Sequence, residues 1–438
     1  MSGFEVGLIS VGAMLVMIIA GVHVGVVLAL ASFVGVWAIR DNFGIAVNLL
    51  VLAVSDSVSN YVFGVIPLFV LMGLFVSAAE VGRDTYQVAN QVFRRLRGGL
   101  GVATIAANTF FAAITGVSIA SASVFTRLAV PEMLRYGYQP RFAVGVVAGS
   151  SVLGMLIPPS LLLILYAILT DQSVGDMFLA GIIPGLLLAT TFAAAVIAAG
   201  RFAPRFILLP ARSTVAAEEP LMSWGEMAAK LVPIVVLIAL VLGGIYGGLF
   251  TATEAGGIGA FGAFLIALAK RALTPRKLWS VVEETGQITA VICFLIIAAT
   301  MYSRMLGLGG VPTQLGNLVA ASGLGLYGLL AIYLAIILLL GMLIDAASTM
   351  MIVVPLFLPL FTALGVDLVW LGVLTVVAVE IGLLTPPFGV SCFVVKASLP
   401  DQRVTLNDVF LGALPFAGVM LVFVVLLIAF PCLATLLT

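Results

Sequence analysis

Apolar residues run through this chain in blocks of membrane length, separated by short knots of charge and turn formers. The blocks fall at 4–22, 24–40, 61–80, 142–169, 177–199, 231–249, 251–269, 286–305, 368–395 and 408–436. A spanning helix needs at least about 17 mainly apolar residues, so each block predicts a helix that can cross. Two further apolar stretches, 100–134 and 325–364, are too long for one crossing and hold small polar residues at their centres. The segment 201–230 contains RFAPRFILLPARSTVAAEEPLMSWGE and is the most polar part of the chain. It is expected to be a cytoplasmic connector between two halves, 1–200 and 231–438.

The halves resemble each other. SASVFTRLAVPEML (121–134) aligns with DAASTMMIVVPLFL (345–358), which sets Pro131 on Pro355, 224 positions apart. A double proline follows in each half, in LGMLIPPSLLLILY (153–166) and in IGLLTPPFGVSCFV (381–394), 228 positions apart. Charge orients the two copies. Arg94, Arg95 and Arg97 crowd one loop, while the equivalent positions near 318–321 are uncharged. Lys270, Arg271, Arg276 and Lys277 crowd another, and their counterparts fall on AVNLLVLA. Positive loops favour the cytoplasm. Equivalent loops therefore lie on opposite sides, and the repeats are expected to be inverted, with both termini periplasmic. Arg40 is one exception, since this scheme puts it outside.

The same rule places both ends of 100–134 in the cytoplasm, since Arg94 to Arg97 precede it and Arg135 and Arg141 follow. The stretch must enter and return as a re-entrant helical hairpin, with AAITGVSIASAS near its tip. Its partner, 325–364, is expected to enter from the other side with LLLGMLIDAAS at the tip. The alternative is two tightly turned full spans in each.

Composition sharpens this picture. Of 438 residues, 63% are hydrophobic and 9% charged, against about 25% charged in soluble domains. Lipid must be the solvent. Net charge is zero, so nothing points to nucleic acid. No lysine follows a glycine, which excludes a P-loop and argues against ATP hydrolysis. The single histidine, His23, excludes HExxH zinc sites and Ser-His-Asp triads and is expected near a helix end. Cys293, Cys392 and Cys432 are expected to be small core hydrophobes.

The prolines carry the candidate chemistry. Each removes a backbone donor and clashes with the carbonyl four residues back. Pro158 and Pro159 should free the carbonyls of Gly154 and Met155, and Pro386 and Pro387 those of Gly382 and Leu383. An unpaired carbonyl in a dry interior costs a few kcal/mol, and a cation can satisfy it. The half-helix that follows offers free amides to an anion. A plain kink, with serine or water filling the gap, is the alternative. The hairpin tips bring oxygen donors beside the breaks: Thr115 and Ser118 in the first, Asp345 and Ser348 in the second. Such donors suit sodium, and a calcium cage would need more carboxylates. Asp345 could bind the ion or cap a half-helix. Glu380, an ionisable group within a span, could serve the site or pair with a hairpin residue. Glu254 is expected to cap its own helix. Arg127 and Arg304 are candidate partners for a substrate carboxylate, or snorkel to the interface.

Taken in order, GVIPLFVLMGLFVSAAEVG, FFAAITGVSIASASV, LGMLIPPSLLLILYA, TATEAGG, LGMLIDAAS and EIGLLTPPFGVSCFVV cover essentially the whole chain. On these motifs it resembles the large membrane subunit of the tripartite ATP-independent periplasmic (TRAP) transporters, the DctM-type permease. The fold expected is an all-α polytopic membrane protein of about ten spanning helices plus two re-entrant hairpins in two inverted repeats. The resemblance implies an ion-transporter-like elevator architecture. It implies sodium-coupled import of a small organic acid anion, such as a C4-dicarboxylate or sugar acid, by a bacterial inner-membrane permease that is not an enzyme. A small four-helix membrane subunit and a periplasmic substrate-binding protein are the implied partners. Carried onto this chain, one sodium site would use Thr115, Ser118, Gly154, Ile157 and Pro159, and a second Gly341, Asp345, Gly382 and Thr385. Substrate would lie against Gly116, Ser121, Ser160, Ser348 and Pro387, with Glu380, Met155 and Leu383 in support. Helices 4–40 and 231–269 would form a static scaffold. The rival readings are a stand-alone sodium/dicarboxylate symporter of related fold, an intramembrane enzyme and a channel.

Overall fold

A computed structural model of the chain describes residues 2–96, 98–209, 221–321, 323, 325–399 and 404–438. Part of the expected connector, 210–220, and Arg97 lie outside the described residues. The helices in order are α1 (Gly3–Ile19), α2 (Val24–Arg40), α3 (Phe43–Ser59), α4 (Val65–Ala78), α5 (Val81–Phe93), α6 (Gly99–Thr115), α7 (Ser118–Arg135), α8 (Pro140–Ser151), α9 (Leu161–Thr170), α10 (Val174–Phe202) and α11 (Pro204–Ile207). Beyond the connector come α12 (Trp224–Tyr246), α13 (Ala252–Ala269), α14 (Pro275–Leu308), α15 (Val311–Ala321), α16 (Leu326–Gly341), α17 (Ala346–Ala363), α18 (Leu368–Leu384), α19 (Val390–Ser398), α20 (Leu406–Ala429) and α21 (Cys432–Thr435).

One device opens several of these helices. Ser2 with Glu5, Ser223 with Glu226, Thr251 with Glu254, and Thr405 with Asp408 form capping boxes at α1, α12, α13 and α20. Each satisfies two backbone donors that the first turn leaves free. Glu254 thus caps its helix, as expected. Among the described residues, seven helices are long and apolar enough to cross a membrane; they include α10, α12, α13, α14, α17 and α20. The seventh runs from Tyr61 through α4 to Ala78. The expected block 24–40 is α2 itself, while block 4–22 shortens to the 17-residue α1, because Gly21, at φ +87, turns the chain between them. Blocks 142–169 and 368–395 are each broken at their prolines. Among the described residues, four helices lie outside the expected blocks: α3, α5, the single-turn α11 and α15.

The two long apolar stretches are helical hairpins. Gly116 and Val117 turn α6 into α7, and Met342 to Asp345 turn α16 into α17. Each hairpin leads into a broken helix, α8–α9 or α18–α19. Each first arm is also tied to the following broken helix by one buried bond. Asn108 Nδ2 donates to Ser150 Oγ (2.5 Å), and the Tyr333 and Thr375 hydroxyls are 2.7 Å apart. The residues of either pair are 42 apart, and the pairs themselves are offset by 225 positions, matching the repeat read from the prolines.

The broken helices run antiparallel. Gly154, at the first break, packs on Ser118, and Glu380 of α18 reaches the same Ser118. Earlier along α18, Gly372 packs on Tyr166 of α9. Advancing along α18 therefore retraces the path from α9 back to the first break. Helix α18 is buried from Trp370 to Leu384, whereas α1, α2, α3 and α12 expose many large apolar side chains, as lipid-facing helices do. Helix α13 packs Gly256 and Gly259 on Leu68, Phe69 and Met72 of α4, letting the two helices approach closely. Of the three cysteines only Cys392 is buried; Cys293 is half-buried and Cys432 exposed. The expectation of three core cysteines is corrected to one, because Cys432 opens a terminal helical turn rather than continuing a packed span.

Candidate functional site

Each hairpin tip is seated in the break of the helix that follows it. In the first half, Gly116 adopts φ +64, and its carbonyl accepts a bond from the Leu161 amide at 3.2 Å. A Cβ on Gly116 would lie 2.4 Å from the Pro159 carbonyl oxygen, so both the backbone angle and the close approach require glycine. Gly154 lies against the Ser118 amide and Cα. Thr115, Gly116, Ser118, Gly154, Pro159 and Ser160 therefore share one buried locus. Ile157, beside them in sequence, turns its side chain onto Gly185 of α10.

In the second half, the Gly341 and Gly382 backbones meet; a Cβ on Gly382 would lie 2.7 Å from Gly341 Cα. The Phe388 amide donates to the Met342 carbonyl at 3.1 Å. Asp345 is exposed and caps α17 by accepting from the Ser348 amide at 3.0 Å. Thr385 closes α18, and Ser348 is buried. The two breaks differ in exposure. Pro158 and Pro159 are buried, while Pro386, Pro387 and Phe388 are exposed.

The freed carbonyls are half as available as the prolines alone suggest. Ser160 donates its hydroxyl to the Met155 carbonyl. Thr385 donates its amide to the Gly382 carbonyl at 3.1 Å, and its hydroxyl lies 2.7 Å from the Ile381 carbonyl and 3.1 Å from that of Gly382. Among the described residues, no donor reaches the Gly154 or Leu383 carbonyl. Local donors, the Ser160 hydroxyl and the Thr385 amide, fill one vacancy in each break, and one carbonyl in each remains for an ion. The first turn of α9 is also largely closed, since Leu161 binds Gly116 and Leu163 binds Ser160 Oγ. The α19 amino end, behind exposed Phe388, is the more open of the two.

Glu380 joins the halves. It is 1% exposed, its Oε1 accepts from Ser118 Oγ at 3.3 Å, and among the described residues its Oε2 has no partner. Ser121 donates to Asn108 Oδ1 (2.5 Å), and Asn108 passes the chain on to Ser150. Sequence reading missed Asn108 and Ser150. Their signal is a buried amide and hydroxyl within apolar helices, the type of group that must be hydrogen-bonded. Arg304 does not stand free for a substrate: it pairs with Asp56 of α3 at 2.5 Å. Arg127 is exposed on α7, well beyond the tip. Two carbonyls, several hydroxyls and one buried carboxylate can ligate a hard cation, and the half-helix amides can hold an anion.

The family model described as tripartite ATP-independent periplasmic transporter, DctM component, matches residues 11–433. The chain is 32% identical over 387 residues to the C4-dicarboxylate TRAP transporter large permease protein DctM of Pseudomonas aeruginosa, covering 88% of each. It is 28% identical over 405 residues to the isethionate TRAP transporter permease protein DctMQ of Oleidesulfovibrio alaskensis, covering 92% of this chain and 62% of that one. Among solved structures it is similar in fold to the YdaH transporter of Alcanivorax borkumensis, with TM-score 0.57, 17% identity and 89% of each chain covered.

Proposed function

This chain belongs to the DctM component family of tripartite ATP-independent periplasmic transporters, a permease rather than an enzyme, and from that premise we propose that it couples sodium entry to uptake of a small organic acid anion. The observation that carries the reading is the seating of both hairpin tips in proline-made gaps. Each gap offers a carbonyl without a donor beside tip hydroxyls, which is what a partly dehydrated sodium ion needs in place of water. The first sodium site takes Thr115, Ser118, Gly154, Ile157 and Pro159. The second takes Gly341, Asp345, Gly382 and Thr385, beside the Leu383 carbonyl that no donor among the described residues fills. The anion lies between the tips, among Gly116, Ser121, Ser160, Ser348 and Pro387, with Glu380, Met155 and Leu383 behind them. Relatives named for C4-dicarboxylate and isethionate support a small organic acid as cargo.

The halves 1–200 and 231–438, joined by 201–230, act as inverted repeats. The hairpins and broken helices move as an elevator against a scaffold of 4–40 and 231–269 in the inner membrane, with both termini periplasmic. The DctMQ relative, of which this chain covers only 62%, supports a small membrane subunit as partner. A periplasmic binding protein delivers the substrate.

The test is uptake into proteoliposomes holding the chain with its small subunit and binding protein. A sodium gradient should drive accumulation, and ATP should add nothing. Uptake that is unchanged when potassium replaces sodium on both faces would overturn the coupling. Uptake at the same rate without binding protein would instead favour a stand-alone symporter.

A further inference from the structure

Where α4 gives way to α5 and α13 to α14 lies an open cleft of about 580 Å³. It lies apart from the hairpins. Five cations line it, Arg83, Lys230, Lys270, Arg271 and Lys277, against two carboxylates, Glu80 and Asp84. Asp84 takes two of the cations, Lys270 and Lys230. Glu80 meets Arg83 at 3.6 Å in solvent, a contact of little energetic weight. Arg271 and Lys277 pair with no carboxylate among the described residues. The cleft keeps unspent positive charge, and the amino end of the 34-residue α14, capped by Thr274, adds to it.

Backbone shape adds a second observation. Among the described residues, four other than glycine have positive φ, and two of these, Glu80 (φ 56) and Arg271 (φ 53), line this cleft. The other two are aspartates, which tolerate that conformation better. Arg271 occupies the position after α13 where glycine is usual, so a guanidinium stands where a bare backbone would fit with less strain.

Position selects the ligand. Trp279 on α14 and Trp224 at the start of α12 are 70% and 85% exposed, the habit of tryptophans at headgroup depth. From Lys270 the exposed face of α13 continues as Leu268 and Leu265, so apolar surface begins where charge ends. We propose that this cleft binds the phosphate of an anionic phospholipid, phosphatidylglycerol or cardiolipin, with Arg271 and Lys277 on the phosphate and the acyl chains along α13. Basic pockets between membrane helices on the cytoplasmic side suit such headgroups.

The test uses the full chain in detergent, reading lipid binding by native mass spectrometry and melting temperature in parallel. Phosphatidylglycerol should bind and raise the melting temperature, and phosphatidylcholine should not. In the double variant Arg271→Gly, Lys277→Gln, affinity for phosphatidylglycerol should fall about tenfold or more. Without lipid the variant should melt no lower than wild type, since glycine relieves the strained φ, so lost binding is not lost folding. Equal affinity in the variant would overturn the proposal. So would inorganic phosphate alone producing the full thermal shift, because the ligand would then be a free anion.

Discussion

Asp345 shows how one side chain can hold two roles that a pair of substitutions separates. Its carboxylate caps α17 through the Ser348 amide, and it stands at the tip proposed to hold sodium. Asparagine caps about as well as aspartate, whereas alanine loses about 1 kcal/mol. Asp345→Asn should therefore leave the melting temperature unchanged while raising the sodium concentration needed for half-maximal uptake. Asp345→Ala should lower both stability and sodium affinity. If Asp345→Asn transports with unaltered sodium dependence, the residue is a cap only. Gly116 is more exacting. Gly116→Ala puts a methyl into the Pro159 carbonyl and forces an alanine to positive φ, costing at least about 1 kcal/mol from the backbone angle alone. Uptake should be lost with little change in expression. Arg304, tied to Asp56, should be silent toward substrate: Arg304→Gln is expected to leave the substrate KM of uptake unchanged.

At the scale of elements, the bonds Asn108–Ser150 and Tyr333–Thr375 hold equivalent hairpins to equivalent broken helices with different chemistry. Tyr333→Phe removes one hydroxyl and should cost about 1 kcal/mol. Asn108→Ala strands the Ser121 hydroxyl, while Ser150 keeps its bond to the Val146 carbonyl, and should cost more, because a buried group left without a partner carries the full desolvation penalty. Denaturation of both variants in detergent would order them. The pattern along the chain already disclosed the hairpins, the two breaks and the Glu254 cap, because each is written in local chemistry: a double proline, a polar centre, a Thr–Glu spacing. Helix α3 stayed hidden because Asn48, Ser55, Asp56 and Ser57 interrupt its apolar run, and Asp56 finds its cation only through folding, in distant Arg304. Helix α5 hid for a different reason. It buries Val81, Thr85, Tyr86, Val88 and Ala89 and leaves Arg83 exposed, an amphipathic pattern that no search for long apolar blocks can find. A serine filling the gap was a stated alternative, but which carbonyls Ser160 and Thr385 fill was not legible, since it depends on how each chain segment bends after the prolines.

Across the whole molecule the two breaks are inequivalent. Pro158 and Pro159 are sealed, whereas Phe388, 54% exposed, stands at an open break. An elevator that exposes its sites alternately must change this contrast. With the native cysteines replaced by serine, since Cys432 is itself exposed, Phe388→Cys should react readily with a polar thiol reagent. Sodium plus substrate should slow that reaction in proteoliposomes, and a rate indifferent to both would argue against movement at this break. The bond from Ser118 to Glu380 adds a constraint of another sort. It is rooted in the first half of the chain and ends in the second, so a ligand that tightens either half does work on its twin. Thermodynamic reciprocity then demands that the twin answer by the same factor. Sodium should accordingly load with a Hill coefficient above one, and severing the link from its other end with Glu380→Leu, which leaves the proposed ligands of both ion sites in place, should flatten the curve toward independent, single-ion behaviour.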